Sequence, residues 1–171
     1  MRNDKIQKLV WAGLFTALTA VATMIVQVPS PIGGFFNAGD AVVILGAFLL
    51  GSPWGAVAAG LGSALVDLFS GPYAIYAPAT LIIKAMMALA AGAILRSSKK
   101  KNSLPIAILG SIVAELIMIA GYFAYESTIL GLGWGAIANV PGNSAQGVFG
   151  VLAGTALFYA LLRIPYVKKT F

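Results

Sequence analysis

Apolar positions along this chain come in long unbroken runs. They show neither the i, i+3, i+4 stripe of a soluble helix nor the strict alternation of a half-buried strand. Short segments rich in Gly and Pro separate the runs, and the pattern predicts helices over residues 8–28, 38–51, 53–69, 76–96, 104–125 and 141–164. Runs of this length approach the roughly 20 residues that carry a helix across a hydrocarbon core, whereas a membrane barrel would be written in alternating strands of about ten residues. The expected architecture is a single domain, residues 1–171, of the all-α integral membrane class: a bundle of six transmembrane helices.

One stretch decides the topology. Residues 41–66 carry no charge, and "GSPWG" (Gly51 to Gly55) interrupts them midway. If Ser52-Pro53 is a turn, the basic residues Arg2, Lys5 and Lys8, the cluster Arg96 with Lys99, Lys100 and Lys101, and Arg163, Lys168 and Lys169 all fall on one side. The positive-inside rule makes that side cytoplasmic. A single span from Asp40 to Asp67 would force the Lys99–Lys101 cluster outside, so the hairpin is preferred and both termini are expected in the cytoplasm.

Composition narrows the chemistry. The chain is 60% hydrophobic and 9% charged, against about 25% charged residues in a soluble domain. It has no cysteine and no histidine, which removes disulfides, thiolate nucleophiles, zinc centres and any Ser-His or Cys-His couple. There is no G-x-x-x-x-G-K-[ST] phosphate loop and no G-x-S-x-G elbow. Neither an enzyme nor a cofactor is expected, and nucleic acid is not an expected partner. The basic start of the chain resembles a signal peptide, but its apolar run continues to about residue 28, so it is read as a retained first helix.

With the hairpin in place, the loops 29–39, 70–77 and 126–140 face outward and contain no Lys or Arg. They carry Phe35, Phe36, Tyr73, Tyr76 and Trp134, either as an aromatic belt at the membrane surface or as lids with stacking groups for a planar ligand. Asn37 and Asp40 open the first arm of the hairpin, Asp67 closes the second, and Tyr122 lies near the outer end of the fifth helix. Lys84 and Glu115 lie about 12 and 16 Å inside the fourth and fifth helices at helical rise. An ionisable group at that depth is costly and faces the bundle interior. The two either pair with each other or meet a ligand. In "NVPGNSAQG", Asn139 precedes a helix on which Asn143 and Gln146 share a face, and their amides offer both donors and acceptors. Small residues recur at helical spacing: Ala12, Thr16 and Ala20, with Gly13 and Ala17 beside them, then Ala56, Gly60 and Ala64, then Gly150 and Gly154. Such faces let helices approach closely.

The stretches "NAGDAVVILGAFLLGSPWGAVAAGLGSALVDLFSG", "YAIYAPATLIIKAMMALAAG" and "PGNSAQGVFGVLAG" resemble the substrate-binding S components of energy-coupling factor (ECF) vitamin transporters. The likeness is to the riboflavin-transporter-like and hydroxymethylpyrimidine or pyridoxine-type branch, and it covers nearly the whole chain. It implies a multi-pass protein of a bacterial plasma membrane that captures a small vitamin from outside. Partners implied are a transmembrane coupling subunit and two cytosolic ATPases, on which the subunit topples to release its cargo. The family's A-x-x-x-A docking face corresponds here to Ala12, Thr16 and Ala20, with threonine at the middle position. Ligand-binding residues are expected among Phe36, Asn37, Asp40, Asp67, Tyr73, Tyr76, Lys84, Glu115, Tyr122, Trp134, Asn139, Asn143 and Gln146. Two other classes fit the same residues: a free-standing ion-coupled carrier with Glu115 or Asp67 as proton site, and a membrane scaffold without transport.

Overall fold

The computed structural model describes residues 4–98 and 102–170. Arg2 and the Lys99–Lys101 cluster lie outside these described residues. The chain runs through α1 (Asp4–Ile25), β1 (Gln27–Pro29), β2 (Phe35–Asn37), α2 (Gly39–Leu50), α3 (Ser52–Phe69), a 3₁₀ segment (Gly71–Tyr76), α4 (Ala77–Ser97) and α5 (Leu104–Ala124). A π-helical turn (Tyr125–Ile129), a second 3₁₀ segment (Gly133–Asn139), α6 (Val140–Leu161) and a short α7 (Pro165–Thr170) complete it.

The interrupted stretch is two helices. Gly51 separates them at φ 82°, a left-handed conformation that glycine adopts without steric cost, and Pro53 lies in the first turn of α3, where its missing N–H loses nothing. The arms then pack closely, since a Cβ on Gly55 would stand 2.9 Å from the Cα of Ala47. The Arg96 guanidinium at the end of α4 lies directly against Gly51, so the α2–α3 turn and the Arg96 cluster share one end of the molecule. Tyr159 near the end of α6 donates to the carbonyl of Asn102 at the same end, at 2.8 Å.

The chain is not purely α-helical. The first helix stops at Ile25, and Gln27–Pro29 pairs antiparallel with Phe35–Asn37, in register Gln27↔Asn37, Val28↔Phe36 and Pro29↔Phe35. Val26 and Val28 favour extended backbone, and Pro29 steers Val28 away from the helical region. Gly33 (φ 121°) and Gly34 (φ 77°) form the return. Their backbone lies under the Tyr76 ring, where a Cβ would stand 3.1 Å from the Tyr76 hydroxyl and 3.3 Å from its Cζ, respectively.

Packing explains the lack of one-sided patterning. α2 is enclosed on all sides, with Val43, Ile44, Leu45, Ala47, Phe48 and Leu49 buried, and a helix enclosed on all sides is apolar all round. Small residues set the spacing about it: Cβ atoms on Gly62, Gly60 and Gly154 would stand 2.6 Å from the Thr16 carbonyl, 2.7 Å from the Leu81 carbonyl and 2.9 Å from Ile44 Cβ. The outward faces carry exposed Leu9, Val10, Leu116, Val148 and Leu152. Four helical stretches, Lys5–Ile25, Gly71–Ser97, Leu104–Ile129 and Gly133–Leu161, are long and apolar enough to cross a bilayer, and Gly39–Leu50 is apolar but shorter.

Candidate functional site

At the end of the bundle opposite the α2–α3 turn, the β-hairpin, the two 3₁₀ segments and the π turn close over the helix ends. They leave a cavity of about 460 Å³, open mouth included, lined from α1, the hairpin, α3, α4, α5 and α6. Three polar networks shape it. On the floor, Lys84 is ion-paired to Asp40, with side chains 1% and 0% exposed. Gln146 donates from Nε2 to the second Asp40 oxygen at 2.5 Å and accepts at Oε1 from the Asn37 backbone N–H at 2.7 Å. The Lys84 ammonium also lies 5.6 Å from the centre of the Tyr122 ring, a cation–π geometry.

The wall is a directed relay. Thr80 donates to Asp67 Oδ2 at 2.5 Å and lies 2.9 Å from the Tyr122 hydroxyl. A threonine has one proton to give, so Tyr122 donates to Thr80. In the roof, Glu126 Oε1 accepts from Asn139 Nδ2 at 2.7 Å and from the Tyr76 hydroxyl at 3.4 Å. Asn139 Nδ2 also reaches the Gly33 carbonyl at 3.2 Å, tying the hairpin to the start of α6. Aromatic rings supply the rest of the lining: Phe35 meets Tyr73 edge-on at 5.1 Å, Tyr76 contacts Tyr122 at 6.5 Å, and Phe36 covers Gly142.

The family model for the ECF-type riboflavin transporter S component matches residues 3–163. The chain belongs to this family. It is therefore a membrane-embedded, substrate-binding transporter subunit for a small vitamin, it works with the energy-coupling module, and it is not an enzyme. An uncharacterised protein of Pyrococcus woesei is 34% identical over 142 residues, covering 82% of this S component and 92% of the relative. A solved structure described as the S component of a bacterial ECF transporter shares the fold, with a TM-score of 0.75 at 21% identity over 93% of this chain and 97% of the other.

Within this S component, the structure brings Phe36, Asn37, Asp67, Tyr73, Tyr76, Lys84, Tyr122, Asn139, Asn143 and Gln146 to the one cavity. Three residues singled out in the sequence lie elsewhere. Asp40 sits beneath the floor and reaches the cavity only through Lys84 and Gln146. Trp134 is 82% exposed and packs on Phe123 from outside. Glu115 does not pair with Lys84. The two are at similar depth, but α5 is turned so that Glu115 faces α6, its carboxylate against Gly147 and Gly150 and close to Asp40. The lysine is taken instead by Asp40 on the central helix.

The small residues singled out on α1 do not share one setting. Ala12 is buried, Thr16 and Ala20 are half-buried, and α1 packs on α3 through Thr16 and Thr19. Gly13 and Ala17 point outward, and a Cβ on Gly13 would meet nothing within 4 Å. The cavity further includes Phe35, one of the loop aromatics read as stacking groups, and Thr23, Ser30, Gly33, Gly34, Ser63, Thr80 and Glu126, none of which was singled out as a ligand-binding residue. Glu126 had the clearest signal, an acid at the end of an apolar run. What hid its role is the π turn, an insertion frequent at functional sites, in which Leu130 N–H bonds back to Tyr125 at 3.1 Å and Glu126 is buried.

Proposed function

We propose that this S component captures a small heteroaromatic vitamin or precursor, with pyridoxine or hydroxymethylpyrimidine favoured, in the cavity described above. It then delivers the cargo by toppling on the ATP-driven coupling module, formed by a transmembrane subunit and two cytosolic ATPases. The observation that carries this reading is the cavity itself. Aromatic rings, paired amides, and hydroxyl and carboxyl groups converge there in a chain of this family, the combination expected of a site for a small polar aromatic molecule. The chain crosses the cell membrane six times, with α2 and α3 as two short arms, both termini in the cytoplasm and the cavity outside. On α1, the outward Gly13 and Ala17, flanked by Thr16 and Ala20, form the docking face for the coupling subunit.

A second reading has an observation of its own. Glu115 is buried beside Asp40 and borders a crevice between α5 and α6 lined by Ile112, Leu116, Ser144, Val148 and Val151. A proton site there would suit a free-standing ion-coupled carrier. Uptake of labelled pyridoxine and hydroxymethylpyrimidine into proteoliposomes separates the two. The S-component reading expects uptake only with the coupling module and ATP. Uptake by the chain alone under a pH gradient would establish the carrier instead. Binding without uptake in either system, or no binding at all, would remove both.

A further inference from the structure

The acid content of the cavity is out of keeping with the rest of the chain. The sequence carries a formal charge of +6 with only five acidic residues. Two of these, Asp67 and Glu126, line the cavity, and Asp40 and Glu115 lie beneath it, both against Gly150. The one base among the lining residues, Lys84, is already committed to Asp40. Internal bonding occupies one oxygen of Asp67 through Thr80, and it leaves four buried polar atoms of lining residues without partners: Glu126 Oε2, Asn139 Oδ1, Ser63 Oγ and Thr23 Oγ1. Two of these are pure acceptors, a carboxylate oxygen and an amide carbonyl, both on residues only 2% exposed.

A buried acceptor without a donor is costly, and one that carries charge more so. The Asn139 amide nitrogen is spent on Glu126 and Gly33, which fixes its carbonyl as the free end. Glu126 and Asn139 thus present an adjoining pair of acceptors in the roof, beside the Tyr76 ring. Resting on the reading of this cavity as the vitamin site, we infer that its cargo carries an amino or ammonium group, seated between the free Glu126 oxygen and the Asn139 carbonyl, with the ring among the aromatic side chains. Carboxylated and phosphorylated molecules are excluded by the same count, because no unpaired cation among the lining residues would receive them.

Isothermal titration of the full chain in detergent tests this with matched pairs that differ by one group: pyridoxamine against pyridoxine, and 4-amino- against 4-hydroxy-5-hydroxymethyl-2-methylpyrimidine. In at least one pair the amine binds about tenfold or more tighter than its hydroxyl partner, the factor expected of one charge-assisted hydrogen bond. Glu126→Gln keeps the Oε1 bonds and removes the charge, and it abolishes that preference. If that variant does not fold, Glu126→Asp, which withdraws the carboxylate by one methylene, weakens the preference instead. Equal or tighter binding of the hydroxyl partners, or binding of riboflavin alone, overturns the inference while leaving the vitamin-binding function standing. If neither amine nor any other B vitamin binds, the functional reading falls with it.

Discussion

Lys84 and Asp40 are each taken almost wholly out of water. Burial of two charges is repaid only by close pairing and by bonds to the remaining polar atoms. Gln146 provides one such bond, to the second Asp40 oxygen, so the pair and the amide act as a unit that joins α2, α4 and α6 below the cavity. Removing one partner leaves the other charged and buried. Lys84→Met is therefore expected to cost about 3–5 kcal/mol and to lower the melting temperature of the purified protein in detergent. The double variant Lys84→Met with Asp40→Asn removes both charges and should recover most of the loss. Equal melting of the single variant and the wild type would show that the pair contributes little. The charges themselves were legible in the sequence, since each is isolated in an apolar run. Their pairing was not, because spacing gives depth along a helix but not rotation about it, and rotation decides whether Lys84 meets α5 or α2.

At the level of elements, the helices were legible because length and hydrophobicity announce them, and Gly51-Ser52-Pro53 marked the break between α2 and α3. The β-hairpin and the π turn were not. Strands of three residues are too short for a period to show, and a π turn differs from an α-helix by one hydrogen-bond register. Both elements belong to the cavity wall, where tertiary contacts outweigh local preference: the hairpin return lies beneath Tyr76, and Tyr76 in turn bonds to Glu126 on the π turn. Gly34→Val places a branched side chain at φ 77° against the Tyr76 ring. The strain falls on the lid rather than on the bundle. Affinity for the cargo should drop by about tenfold or more while the melting temperature changes little. A large loss of stability with affinity retained would mean that the hairpin holds the bundle together rather than shaping the site.

For the whole molecule, the chain is asymmetric along its long axis. The α2–α3 turn, Arg96 and the end of α6 mark one end, and the cavity with its loops marks the other. The absence of cysteine makes single-cysteine labelling clean. With the cavity outside, Ile129→Cys should react with a membrane-impermeant maleimide in intact cells and Ser97→Cys only after lysis. The reverse pattern would invert the topology and put the cavity on the cytoplasmic side. The central claim, that this cavity holds the vitamin, is tested most directly by ligand protection of Tyr73→Cys, a position in the cavity wall. A saturating vitamin should slow maleimide labelling there and leave the rate at Ser97→Cys unchanged. Undiminished labelling at position 73 by a vitamin that demonstrably binds would place the site elsewhere and contradict the account.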